Sequence, residues 1–167
     1  MADMYQEILI KRITPPADKL KKVALITLTA VAAALAVLTF NLIFLLAAIA
    51  LGVACYFLLP GLDLEYEYLY VNGDIDIDKI LSRQKRKKAE SFDKESLELI
   101  APTGHDALKE YEGKGKVKDY TSLDPNVKSY TAVYTQDSQI RIVRLELPDA
   151  VVQDMRRFAP RKVYVRQ

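Results

Sequence analysis

From residue 23 to residue 60 the chain runs 38 positions without an Asp, Glu, Lys, Arg or His. A single helix of that length reaches about 57 Å, against a hydrocarbon thickness of about 30 Å, and tilt absorbs only part of the excess. Two helices and a tight turn fit better. Asn41 is the only strongly polar side chain in the run and stands at its midpoint. It divides the run into residues 23–40 and 42–59, each roughly 27 Å as helix. Asn tolerates left-handed backbone and hydrogen-bonds its own turn, so the transmembrane reversal is expected at residue 41. The two halves hold 20 Leu, Ile, Val and Phe. Their insertion sums to on the order of −8 kcal/mol, ample against a few Thr and one Asn. Pro60-Gly61 then breaks the second helix.

A secretory signal has an apolar core of only about 7–15 residues near the terminus, which this run exceeds. A buried hairpin of this size in a soluble protein needs a larger partner than the downstream residues can supply. Lys11, Arg12, Lys19, Lys21 and Lys22 precede the run; Lys79, Arg83, Lys85, Arg86, Lys87 and Lys88 follow it, and the turn is uncharged. Positive residues stay on the cytoplasmic side, so the expectation is a multi-pass protein of the cell membrane with both termini cytoplasmic. Lys19, Lys21, Lys22, Arg83, Lys85, Arg86, Lys87 and Lys88 are the candidate contacts to anionic lipid. Residues 5–13 mix apolar and charged positions and are expected to lie along the membrane. Ala30/Ala34 and Ala48/Gly52 repeat at four-residue spacing, which lets helices approach closely in lipid, although alanine is common in spans in any case. The lipid bilayer is thus the first expected partner. A protein partner or a second copy, bound through the spans, is another.

All 24 basic and 22 acidic residues lie in the other 129 positions. Three segments follow from this: a cytoplasmic N-terminal stretch (1–22), the hairpin (23–60) and a water-facing domain (61–167). In the last, Leu64, Tyr66, Tyr68 and Tyr70 alternate with Glu65, Glu67, Leu69 and Val71 up to Asn72-Gly73. Beyond that pair, Ile75 and Ile77 alternate with Asp74, Asp76 and Asp78. Asn-Gly between alternating runs signals a hairpin with a type I′ turn. Counting outward places Tyr70 against Ile75 and Tyr68 against Ile77 on an apolar face, and Glu67 against Asp78 on an acidic one. That acidic face is either a cation site or a solvated surface neutralised by the basic run 83–88. Shorter alternating pieces recur at 91–92, 97–100, 117–120, 129–135 and 139–147, with Gln136-Asp137-Ser138 turning the last two into a hairpin. Pro148 opens a helix whose Val151, Val152, Met155 and Phe158 share one face, and Pro160 ends it. The sum is an α+β chain: a transmembrane hairpin, then about seven short strands and one amphipathic helix.

That order of elements, over residues 62–160, resembles the pleckstrin-homology (PH) superfold, including bacterial PH-like domains attached to transmembrane hairpins. The stretches 1–22 and 64–88, with Glu-Tyr-Leu-Tyr-Val-Asn-Gly-Asp and Ser-Arg-Gln-Lys-Arg-Lys-Lys, resemble a family of small, uncharacterised two-span bacterial membrane proteins. The resemblance implies an inner or plasma-membrane location and no known activity. PH domains that bind inositol lipids place basic residues around the first hairpin turn; here that turn is Val-Asn-Gly-Asp, so their headgroup chemistry does not carry over.

Catalytic chemistry is not signalled. His105, the only histidine, sits in a Gly-His-Asp loop; Cys55, the only cysteine, lies in the second span, which leaves no metal cluster. Nucleophile-elbow and dinucleotide glycine patterns are absent, and Gly113-Lys114-Gly115-Lys116 lacks the spacing of a phosphate loop. Residues 62–167 carry 19 basic and 19 acidic side chains, a balance that argues against a nucleic-acid partner. The chain therefore reads as a membrane-anchored, non-enzymatic binding or adaptor module with no catalytic, cofactor or metal residues. The alternatives are an accessory subunit of a larger membrane complex such as a transporter and, third, an enzyme with an unrecognised site.

Overall fold

The computed structural model describes residues 4–81 and 85–166. Eight strands and three helices follow in the order β1 (Tyr5–Lys11), α1 (Pro16–Thr39), α2 (Leu42–Leu58), β2 (Leu64–Val71), β3 (Asp74–Leu81), β4 (Lys85–Phe92), β5 (Leu97–Pro102), β6 (Val117–Asp119), β7 (Tyr130–Gln136), β8 (Gln139–Leu145) and α3 (Asp149–Phe158). They form two units. One holds Met1–Ile13, Glu65–Ile80 and Arg86–Gln167; the other holds Thr14–Leu64 and Leu81–Lys85.

The β unit consists of two four-stranded sheets, ordered β1-β2-β3-β4 and β5-β7-β8-β6. Asn72 and Gly73 both take positive φ, 50° and 101°, as a type I′ turn requires. The sequence alternation sends Tyr66, Tyr68, Tyr70, Ile75 and Ile77 inward, each at most 1% exposed. From the second sheet Tyr130, Ala132, Tyr134, Val143 and Leu145 meet them, and Val151, Val152 and Met155 of α3 complete the core. Asp137 and Ser138 make the β7–β8 turn, also at positive φ, and set the register Gln136↔Gln139 through Tyr130↔Leu145. β6 is parallel to β8. Val163, expected in a strand, makes a single parallel bridge to Ile100. Residues Asp106–Tyr111 form a 3₁₀ turn.

One expectation about the N-terminal part is corrected. Residues 5–13, expected along the membrane, belong to the β unit instead. Tyr5–Lys11 is an edge strand paired antiparallel with β2, from Tyr5↔Val71 to Lys11↔Glu65. Ile8 and Ile10 pack against the core, and Ile13 N–H donates to the Ser122 carbonyl at 2.7 Å. The free edge of β2, with its tyrosine face, is a template that the first residues of the chain satisfy. The apolar hairpin is therefore inserted between two neighbouring strands of one sheet.

In the helical unit, α1 starts at Pro16, two turns before the expected residue 23, so Lys19, Lys21 and Lys22 belong to its first turns. The reversal also differs. Phe40, not Asn41, takes the left-handed conformation (φ 47°), while Asn41 is the N-cap of α2 and its side chain accepts from Ile43 N–H at 2.8 Å. The physical reason is that a helix start leaves unpaired N–H groups, and an Asn side chain gains more by capping one than by relieving backbone strain. Asn41→Ala is expected to destabilise the hairpin by about 1 kcal/mol, readable as a lower unfolding midpoint of the whole chain in mild detergent.

The α1 face turned to α2 is the stripe Leu25, Thr29, Ala32 and Ala36, with Thr29 Oγ1 3.3 Å from Cys55 Sγ. Ala30 and Ala34 are exposed, so that pair does not make the helix–helix contact; Ala48 and Gly52 are half-buried. Pro16–Thr39 and Leu42–Leu62 have mean hydropathies of 2.1 and 2.8, enough by length and composition to cross a membrane.

Candidate functional site

A tyrosine-rich core must find acceptors for its hydroxyls, because an unmade buried hydrogen bond costs about 1–3 kcal/mol. Tyr68 donates to the Tyr120 carbonyl at 2.6 Å, and Tyr70 to Asp154 of α3 at 2.7 Å. Tyr120 and Tyr134 both donate to Glu90 of β4, whose side chain is 1% exposed. Lys118 of β6 and Arg141 of β8 supply the charge that Glu90 needs. Burial alone raises the Glu90 pKa, but the hydrogen bonds from Lys118, Tyr134 and Tyr120 outweigh it and hold the carboxyl below its ordinary value. Burial pushes both tyrosines up, so they remain neutral donors. Glu90 is thus a polar pin joining the two sheets, closed off from any substrate.

The candidate lipid contacts are distributed rather than gathered. Lys19, Lys21 and Lys22 are exposed on α1, with Lys21 paired to Asp18 at 3.0 Å. Lys85 lines a hollow with Gly52, Tyr56, Leu59, Pro60 and Leu81. Arg83 lies outside the described residues. Arg86 pairs with Glu67 at 2.9 Å and Lys88 with Asp76 at 2.8 Å, so the basic run neutralises the acidic sheet face. Hydrogen bonds from Lys88 and Ser91 hold the Asp76 carboxyl low. Lys87 is exposed and adds to the positive surroundings of Lys79, whose pKa is lowered by burial and by Lys118 and Arg12.

A cationic feature that the sequence reading passed over lies elsewhere. Lys128, Arg156, Arg161 and Arg166 line one groove of about 990 Å³, together with His105 and Tyr164, and no carboxylate among the described residues lines it. His105 is fixed there by the Ala107 N–H, which donates to its Nδ1 at 3.1 Å, and by the Tyr164 ring at 4.8 Å. These residues are scattered over 62 positions of sequence. Arg156, Arg161 and Arg166 belong to an acid-free basic stretch, and the fold brings Lys128 and His105 to it. Separately, the outer face of the second sheet (Leu99, Val133, Ile142) is partly covered by Ala107, Leu108 and Tyr111. A hollow of about 340 Å³ remains beside it.

A family model described as a bacterial PH-like domain (DUF6106) covers residues 2–165. The chain belongs to this PH-like family. No curated protein and no solved structure matches it. The match begins before β1 and ends beyond Tyr164, so the hairpin lies inside the bounds of the PH-like family rather than being appended to it. The strand order and the closing helix α3 agree with the PH-like resemblance drawn from residues 62–160. The strand that this range omits is β1.

Proposed function

We propose that this PH-like chain is a membrane-anchored, non-enzymatic binding module that holds its β unit at the cytoplasmic surface of the cell membrane. The reading is carried by the insertion of the apolar hairpin between β1 and β2, which pair residue for residue from Tyr5↔Val71 to Lys11↔Glu65. Two strands of one sheet share one compartment, so a hairpin between them must cross the bilayer an even number of times. The helices add support: α2 has no buried residue, and Leu42, Ile43, Phe57 and others stand more than 60% exposed, a surface suited to lipid rather than water. Tethering raises the local concentration of the β unit at the surface, which makes weak contacts effective. The basic residues flanking α1 and following β3 favour the cytoplasmic side.

Single cysteines at positions 5, 41 and 164, in a Cys55→Ser background, test the arrangement in intact cells and inverted vesicles with a membrane-impermeant maleimide. Positions 5 and 164 are expected to label from the cytoplasmic face and position 41 from the other. Labelling of 5 and 164 from opposite faces defeats the proposal, as does recovery of the chain in the aqueous fraction without detergent. Crosslinking from intact membranes is expected to capture a saturable partner.

A further inference from the structure

The groove bounded by Lys128, Arg156, Arg161 and Arg166 has no role in the fold that accounts for its charge. Nearby cations that serve the structure are paired: Arg157 reaches Asp154 at 3.5 Å, and Lys162 donates to the Leu97 carbonyl. Lys128, Arg156 and Arg161 are exposed and have no carboxylate partner among the described residues. Arg166 is held by the Ser129 carbonyl at 2.8 Å and by the Tyr130 ring, 4.4 Å from its centroid, which orients the guanidinium without neutralising it. The four charges come from three segments: the loop before β7, the end of α3 and the C-terminal tail. They line a length of surface instead of converging on a point.

The tail that carries two of these cations is tied to the second sheet. Ile100 N–H donates to the Lys162 carbonyl at 2.7 Å, and Tyr164 N–H to the Ile100 carbonyl at 2.8 Å. The tail therefore meets β5, the edge of the second sheet, at a single parallel bridge. Val163, which borders the groove, is itself 3% exposed and packs into the core, so the tail is a fixed wall of the groove. Charge sets the ligand: unopposed cations brought together from three segments are matched by a segment rich in carboxylates.

Within the β unit, the α3 side of the groove and the strand ends that join the hairpin lie at opposite ends of β2. The chain leaves and re-enters the sheet at Lys11 and Glu65, one end of β2. Phe158, at the end of α3, packs beside Gly73 at the other end, about 23 Å away along the strand. Arg156, Pro160 and Arg161 belong to that end of α3. We infer that this groove binds an acidic peptide segment of a partner protein, with the arginines and Lys128 facing its carboxylates. The inference deepens the binding-module reading and rests on it.

The test uses the full-length protein in nanodiscs of phosphatidylcholine and a fluorescein-labelled peptide of alternating Glu and Val. The Gln-for-Glu version is the control. Saturable binding of the acidic peptide is expected, weakened by salt and absent for the Gln version. Arg156→Glu/Arg161→Glu is expected to lose about tenfold or more in affinity, and Lys128→Glu, on a separate loop, to act in the same direction. Unchanged unfolding midpoints show that the variants are folded. No binding by the wild type, or equal binding by both variants, overturns the inference. So does displacement of the peptide by phosphatidylserine added to the discs, since a headgroup is then the occupant. If the peptide fails while membrane crosslinking still captures a saturable partner, the groove alone is refuted; if nothing is captured, the module reading falls with it.

Discussion

Glu90→Ala is expected to destabilise the β unit by about 3–5 kcal/mol, the range for breaking a buried ion pair from one side. The loss has two sources. Tyr120 and Tyr134, both buried, lose their acceptor, and each orphaned hydroxyl costs about 1–3 kcal/mol. Lys118 and Arg141 lose their counter-charge, but their side chains are 46% and 33% exposed and can turn to water, which limits that part. Glu90→Gln keeps an acceptor and is expected to cost less, about 2 kcal/mol. The pH dependence discriminates further. Because the folded-state pKa of Glu90 lies below its ordinary value of 4.5, the network contributes fully above about pH 4.5 and is lost as pH falls through the folded value. Wild-type stability should fall in that acid window, and Glu90→Gln should lack this part of the fall. Chemical unfolding of the whole chain in detergent at a series of pH values measures both effects. An E90Q profile parallel to wild type below pH 4.5 would falsify the assignment.

Glu90 also shows where the sequence stops being legible. Simple alternation along β4 puts Arg86, Lys88 and Glu90 on one face. Arg86 and Lys88 do pair with the outer acids Glu67 and Asp76, yet Glu90 is 3% exposed. The strand breaks its alternation between them, and nothing local in Lys-Lys-Ala-Glu-Ser-Phe announces the break. The Asn72-Gly73 and Asp137-Ser138 hairpins were readable because turn chemistry and alternation agree within a few residues. The apolar hairpin was readable because its composition leaves no alternative. α3 was readable from its spacing and its prolines. The cationic groove was not, because Lys128 and His105 stand far in sequence from the basic stretch 156–166 and join it only when the tail returns to β5.

β1 belongs to the same class of hidden element, and its removal is the other large effect. Ile8, Leu9 and Ile10 are contiguous, which blurs the strand period, and the partner strand lies beyond the whole hairpin. A fragment of residues 62–167 contains every strand that the local pattern suggests, yet it leaves β2 with an open edge. It also loses the packing of Ile8 and Ile10, worth about 3 kcal/mol when each is half-buried, and the Arg12 bond to Tyr66. Against a net stability of about 5–15 kcal/mol, that loss and a bare edge are expected to leave the fragment aggregated or molten in water. Since Lys11 and Glu65 are cross-strand neighbours, residues 4–13 joined to 64–167 by a short Gly-Ser linker replace the hairpin with a simple turn. The linked chain is expected to be monomeric and folded without detergent, with near-UV circular dichroism from its packed tyrosines. Size exclusion and near-UV spectra of the two versions decide the matter. If 62–167 alone folds as well as the linked chain, β1 is an accessory to the sheet and the even-crossing argument loses its support.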